Sequence, residues 1–244
     1  MATLCLVRHG QASFGAADYD VLSPRGAEQS RRLGAALAEA KTPIDAVYVG
    51  GLRRQRETWE HLRAGAAEHG LTLPDACVDD DLREYPAHVI VQHFAREVAA
   101  SDPALVPLLA VNGGGGLSGA LPEGVDAKSV QNLFESIMER WGHGQLSAPH
   151  IEAFATFMAR IDAVLTRVLA GLRRGQRALV ITSGGPVAAA AAHALDLGIA
   201  ETLRLSWVVS NASLTELRHR EDRLSLWRFN GVAHLGDGEL VTYR

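Results

Sequence analysis

The sequence predicts an α/β protein: three α/β/α layers around a mostly parallel sheet, with a helical cap insertion. Three observations carry this. Short apolar runs with β-branched members alternate with stretches of helical period, in the β-loop-α-β-α order that builds a parallel sheet with helices on its faces. The run Ala178 to Thr182 (Ala-Leu-Val-Ile-Thr) is apolar without alternation, as suits a strand buried on both faces. The chain has 244 residues, 47% hydrophobic and 21% charged, which are ordinary globular proportions with ample material for a core.

The first strand is Thr3 to Val7, ending in Arg8-His9-Gly10. Gln11 to Asp20 is rich in small and turn-forming residues and reads as a surface loop, a common place for a site. A helix starts at Ser23-Pro24, with Ser23 as cap and Pro24 in the first helical position, and stops before Pro43. Ala46 to Val49 is the second strand, broken by Gly50-Gly51, and a helix follows from about Leu52 to His69. A third strand is expected around Ala76 to Val78, and a helix from Val89 to Ala100. Pro103 to Gly144 is irregular, with a glycine run at 113–116 and one regular helix from Ala127 to Trp141. Loops of this length often form lids or binding segments, so the chain reads as one domain, 1–244, with a cap insertion at roughly 85–148. An amphipathic helix spans His150 to Leu172, with Phe154, Phe157, Ile161, Val164 and Val168 on or near one face. After the strand Ala178 to Thr182 come Ser183-Gly184-Gly185-Pro186 and an Ala-rich helix, Val187 to Leu195. Ser213 to Arg218 and Leu224 to Phe229 are two late strands around a charged turn, Arg220-Glu221-Asp222. No internal repeat is present.

The net charge is −4 with no long basic run, which argues against a dedicated nucleic-acid or anionic-membrane binder. Cys5 and Cys77 are the two cysteines, and the apolar setting of Cys5 favours buried free thiols over a disulfide. The apolar stretch at the N-terminus is too short for a signal peptide, and no apolar run reaches membrane-spanning length. A cytoplasmic protein without membrane or nucleic-acid partners is the plain expectation; a homodimer is left open.

Three strand ends carry polar groups: Arg8-His9-Gly10, Gly51-Leu52-Arg53-Arg54 and Ser183-Gly184-Gly185. If the strands are parallel neighbours, these ends meet in the crevice where open α/β sheets bind ligands. Two of them open helices, whose free N–H groups favour an anion. Arginine forks match phosphate oxygens, so Arg8 and Arg54 suit a phosphoryl group. The competing readings are a solvated strand end for Arg8-His9 and a solvated helix face for Arg53, Arg54 and Arg56.

The motifs Arg8-His9-Gly10-Gln11, Leu22-Ser23-Pro24-Arg25-Gly26 with Gln29, Leu52-x-Arg54 with Thr58, and Leu82-x-Glu84 follow one another along the chain. Val180 to Gly185 and Asn211-Ala212-Ser213 continue the series. In this order and spacing they closely resemble the histidine phosphatase superfamily, which includes the cofactor-dependent phosphoglycerate mutases. The resemblance spans nearly the whole chain except the region around 103–145. It implies catalysis by His9, Arg8, Arg54 and Glu84, with phosphate held by Arg8, Arg54, Ser183, Gly184 and Gln11. His9 attacks phosphorus through a ring nitrogen; Glu84 protonates the leaving oxygen and then helps activate water. A small phosphorylated substrate is implied, and neither cofactor nor metal. Three positions depart from the family pattern. Ser183 stands where a second histidine is usual, Pro186-Val187-Ala188 lack a frequent arginine, and Gly50 replaces a frequent serine. A hydroxyl donates a hydrogen bond but carries no charge.

The expected function is therefore a metal-independent phosphomonoester hydrolase working through phosphohistidine. The alternative is a phosphate-ligand binding or regulatory protein with little turnover, in which Ser183→His should raise activity. A phosphoglycerate mutase is a weaker option. Other patterns carry less. Gly114-x-Gly116-x-x-Gly119 spells a dinucleotide fingerprint, but Pro122 and Gly124 follow too soon for the required helix. His88 and His93, or His143 and His150, lack a metal-ligand pattern and read as surface histidines. Ser183 lacks the spacing of a serine-hydrolase elbow. Trp141, Phe154 and Phe157 read as packing residues.

Overall fold

The computed structural model describes residues 1–13, 20–101, 127–221, 223–236 and 238–243. The glycine run, the Gly114–Gly119 pattern, the loop 14–19 and Asp222 lie outside them. The chain divides into two compact units, Met1–Glu84 with Ala159–Arg244, and Tyr85–Met158.

The first unit is built on a mixed six-stranded sheet in the order β3-β2-β4-β1-β5-β6. The strands are β1 (Ala2–Arg8), β2 (Ala46–Val49), β3 (Ala76–Val78), β4 (Arg177–Thr182), β5 (Leu214–Arg220) and β6 (Arg223–Gly231). The β3, β2, β4 and β1 neighbours are parallel, and β5 and β6 form an antiparallel hairpin on the β1 side. β1 and β4 are central and buried on both faces, which explains their unalternated apolar sequences. On one face Cys5 and Val7 of β1, Val47 and Val49 of β2, and Leu179 and Ile181 of β4 join a core with Leu33, Leu37, Trp59 and Leu62. Those last four come from α1 (Pro24–Glu39) and α2 (Arg53–Glu68), which pack together. The expected start of α1 holds: Ser23 Oγ accepts from Gly26 N–H at 3.1 Å and Pro24 occupies the first turn.

α6 (Gly184–Leu195) begins at Gly184, three residues before the Val187 expected from composition. Ser183 is its N-cap in extended conformation, and Pro186 sits in the first turn, where the absent N–H costs nothing. α7 (Ile199–Val208) has no counterpart in the sequence reading. Its buried stripe is Thr202, Leu203 and Ser206, too polar to register as amphipathic.

The Tyr85–Met158 unit is helical. α3 (Ala87–Ser101) and α4 (Ala127–Gly142) pack against each other. Tyr85 and Trp141 pack with tilted rings at 5.2 Å, Trp141 meets Phe154 edge-on at 5.2 Å, and Trp141 Nε1 donates to Glu152 O at 2.9 Å. These aromatics are packing residues, as expected. α5 (Phe154–Ala170) starts at Phe154 rather than His150 and carries the chain back into the sheet-bearing unit. His88, His93, His143 and His150 are exposed. Both cysteines are free, but the expectation of two buried thiols is corrected: Cys77 is exposed, because β3 is the edge strand, while Cys5 is buried in β1. Among the described residues no helix is long and apolar enough to cross a membrane.

Candidate active site

The parallel register pairs Arg8 with Thr182 and Val49 with Ile181, so the carboxyl ends of β1, β2 and β4 lie side by side. His9 N–H donates to Thr182 O at 2.8 Å, which carries the β1–β4 pairing to the edge. The other side of the β1 end is braced by the Asn211–Ser213 turn. Asn211 Nδ2 donates to His9 O at 3.3 Å, and Ala212 N–H donates to Arg8 O at 3.0 Å. Gly10 has no room for a side chain: a Cβ there would stand 2.4 Å from the Gly26 carbonyl oxygen.

His9 is 4% exposed, and both ring nitrogens are engaged. Nδ1 lies 2.7 Å from Gly10 O, and Arg54 Nε donates to Nε2 at 3.1 Å. A carbonyl only accepts and a guanidinium only donates, so the two contacts agree on one tautomer: the proton on Nδ1, the lone pair on Nε2. Burial lowers the imidazole pKa well below its usual value, and the charges of Arg54 and Arg8 lower it further. The Gly10 hydrogen bond opposes these effects without reversing them. His9 is therefore a neutral imidazole whose Nε2 lone pair faces a guanidinium.

Arg54 reaches His9 because α2 begins directly after β2. The Arg54 side chain is buried and also pairs with Asp20 through Nη1 at 2.6 Å. Asp20 Oδ2 accepts from Arg53 N–H at 2.8 Å at the start of α2. Thr58, one turn on, links Gly10 N–H to Arg54 O through its hydroxyl, at 2.9 and 2.7 Å. The solvated-face reading applies to Arg53, which pairs with Glu57 on the surface. Arg8 donates through Nη1 to Val209 O, and to Tyr243 O at 2.9 Å. Its Nε stands 3.7 Å from where a Cβ on Gly184 would lie, which puts the guanidinium beside the start of α6.

Glu84 Oε2 accepts from Gly185 N–H at 3.0 Å, in the first turn of α6, where the helix dipole attracts negative charge. Its segment is fixed from both directions. Thr182 Oγ1 and Gln55 Nε2 donate to Leu82 O at 2.6 and 3.2 Å, and Arg160 Nη1 donates to Arg83 O at 2.9 Å. Ser183 is fully buried, and its Oγ accepts from Gln55 Nε2 at 2.9 Å. Gln11 is bonded toward α1: its N–H donates to Gln29 Oε1 at 2.8 Å and its Oε1 accepts from Ser23 Oγ at 3.1 Å.

Of the residues singled out from sequence, His9 and Arg54 are in direct contact, and Arg8 is close enough to act on His9 by charge. Glu84 is bonded to the first turn of α6 and Ser183 is that helix's N-cap, while Gln11 is bonded to Gln29 and Ser23 at the α1 start. Asp20 and Gln55 were missed as site residues. The available signal for Gln55 was its spacing: with Trp59, Leu62 and Ala66 it forms the buried stripe of α2, where a polar side chain needs a partner. Asp20 gave no such signal in its loop. Among the described residues, no three His, Cys, Asp or Glu side chains converge as metal ligands.

An imidazole with its lone pair on Nε2, two guanidinium groups, a carboxyl group and a helix N-terminus on one sheet edge suit phosphoryl chemistry. The sequence model of the histidine phosphatase superfamily (branch 1) matches residues 4–107 and 119–231. The chain belongs to the histidine phosphatase superfamily. Solved structures with the same fold include a phosphoglycerate mutase from Bacillus anthracis, 18% identical, with a TM-score of 0.64 over 98% of this chain and 96% of that one. Bacillus stearothermophilus YhfR is 17% identical, with a TM-score of 0.62 over 96% of this histidine phosphatase and 100% of that chain. A mycobacterial glucosyl-3-phosphoglycerate phosphatase in complex with inorganic phosphate is 20% identical, with a TM-score of 0.59 over 95% and 98%. No curated protein sequence matches this one.

Proposed function

We propose that this histidine phosphatase hydrolyses small phosphomonoesters, without a metal, through a phosphohistidine on His9. The observation that carries the reading is the His9 tautomer: Gly10 O holds the proton on Nδ1, so Nε2 presents a lone pair. In the first step Nε2 forms a bond to phosphorus as the ester P–O bond breaks, and Glu84, entering the cycle as the protonated carboxyl, gives its proton to the leaving oxygen. In the second step water attacks the phosphohistidine, Glu84 takes the water proton, and phosphate leaves with His9 restored. Arg54 follows the charge: its Nε–H donates to Nε2 before attack and to a phosphoryl oxygen during transfer. Arg8, held by two backbone carbonyls, supplies a fixed second positive charge.

The test compares wild type with His9→Ala on an aryl phosphate, together with acid-quench trapping against base-quench trapping of the labelled protein. Wild type is expected to release phosphate and to form an acid-labile, base-stable phosphoprotein; His9→Ala does neither. Equal rates in the two proteins refute the reading.

Ser183 favours a second reading, a phosphate-binding regulatory protein with little turnover. A hydroxyl replaces a residue able to carry charge, and losing a donor of that kind costs catalysis on the order of 10²–10³-fold. A phosphoprotein that forms and is not turned over supports this second reading. Isomer interconversion without phosphate release would instead indicate a mutase.

A further inference from the structure

We propose that Gln55 is a positioning residue that turns the buried Ser183 hydroxyl into a one-way hydrogen-bond donor toward the phosphoryl group bound at His9. The inference rests on the reading above that the site binds phosphoryl groups.

The orientation of the Gln55 amide is fixed by two backbone groups of opposite polarity. Leu52 N–H donates to Oε1 at 3.2 Å, and Leu82 O accepts from Nε2 at 3.2 Å. A flipped amide would face donor with donor and acceptor with acceptor, so the flip is excluded on chemical grounds. The group that faces Ser183 Oγ at 2.9 Å is therefore the NH₂. One of its hydrogens serves Leu82 O and the other Ser183 Oγ, so Ser183 accepts there. A serine hydroxyl has a single proton, and against an N–H it must turn that proton elsewhere. Among the described residues the Gln55 amide is the one side-chain partner given for the hydroxyl.

The position of Ser183 brings it to the sheet edge that carries His9. With Arg8 opposite Thr182, the next residues on the two strands are His9 and Ser183. Ser183 is also the N-cap of α6, which places the first α6 amides at this same edge, and its side chain does not cap the helix. A free hydroxyl rotor would have to be ordered during binding; a hydroxyl polarised by Gln55 is oriented beforehand.

The arrangement also connects two of the departures from the family pattern. A Cβ at position 50 would stand 2.1 Å from Gln55 Oε1 and 2.7 Å from Cδ. Gly50 thus makes the space the amide occupies. Gly50, Gln55 and Ser183 form one unit, in which a neutral oriented donor stands where a histidine is usual.

Inorganic phosphate titrated by calorimetry into wild type, Ser183→Ala, Gln55→Met and the double variant tests this without requiring turnover. Ser183→Ala is expected to weaken phosphate binding roughly tenfold or more, as loss of a donor to a charged group does. Gln55→Met should weaken it through Ser183, so the double variant binds no worse than Ser183→Ala. Thermal melts taken in parallel separate a structural loss, which would lower the melting temperature without making the binding losses non-additive. If Gln55→Met does not fold, Gly50→Ala displaces the amide from the other side and takes its place in the cycle. Phosphate binding unchanged in Ser183→Ala, or losses that multiply in the double variant, overturns this inference alone. A wild-type protein that binds no phosphate overturns it together with the proposed function.

Discussion

Placing a histidine at position 183, where the motif resemblance leads one to expect it, should fail as a single substitution. Ser183 is fully buried, and its Oγ lies 2.9 Å from Gln55 Nε2, so an imidazole there must displace the Gln55 amide. Overpacking of this kind costs about 1–3 kcal/mol. Displacing the amide also strips Leu52 N–H and Leu82 O of their Gln55 partner. Leu82 O keeps its bond from Thr182, so the heavier loss falls on the half-buried Leu52 N–H, where a donor left without its partner costs at most ~1–3 kcal/mol. Together these come to roughly 2–6 kcal/mol, a large share of the ~5–15 kcal/mol that holds a domain folded. At ~2–4 °C per kcal/mol for a chain of this size, the melting temperature should fall by about 5–20 °C. Adding Gln55→Ala removes as many side-chain atoms as Ser183→His adds, and volume-conserving swaps are tolerated best. Ser183→His with Gln55→Ala should therefore be more stable than Ser183→His alone, and any gain in phosphatase activity should appear in the double variant first. Urea or thermal unfolding of the three proteins measures this. A single variant as stable as wild type, or a double variant less stable than the single, refutes the packing argument.

Stability should fall as pH drops from about 6.5 to about 4, because burial lowers His234 to about 4 and the unfolded chain takes up the proton first. The full effect is at most about 3 kcal/mol, and His9, lowered by burial and by the two arginines, acts in the same direction; His234→Phe should flatten the pH dependence of urea unfolding over this window, and an unchanged slope refutes the assignment. Burial also pushes the Cys5 thiol up to about 11 and keeps it protonated, whereas Cys77 is exposed. The native protein should accordingly show one rapidly titrating thiol by Ellman's reagent and two after denaturation, with Cys77→Ser abolishing the rapid one.

What the sequence made legible follows from where the information is local. β1 and β4 are unbroken apolar runs because both faces are covered, and such runs can be read without knowing what covers them. α1 announces its start through Ser23-Pro24. α7 does not announce itself, because its buried stripe contains Thr202 and Ser206, whose hydroxyls find carbonyl partners only within the formed helix. The same limit applies at the site. His9, Arg8, Arg54 and Glu84 stand in recognisable motifs, but Gln55 becomes meaningful only when the parallel β2–β4 pairing brings positions 50, 82 and 183 around it. A polar side chain on a buried stripe says that a partner exists; topology says which one.

In the proposed reaction the partners of Arg54 set the order of events at the site. Its Nε is bonded to His9 Nε2 and its Nη1 to Asp20, so a phosphoryl group must compete with a neutral nitrogen on one side and a carboxylate on the other. A phosphate dianion outcompetes the imidazole lone pair for a guanidinium, since a charged acceptor bonds more strongly than a neutral one. The exchange that binds the phosphoryl group is then the same exchange that uncovers the nucleophile. Asp20 faces a closer contest, carboxylate against phosphate for the same cation, and by fixing both Arg53 N–H and Arg54 Nη1 it holds the guanidinium against His9 from the start of α2. On the proposed mechanism, the His9 lone pair is masked until the substrate arrives by the group that later stabilises the charge it creates.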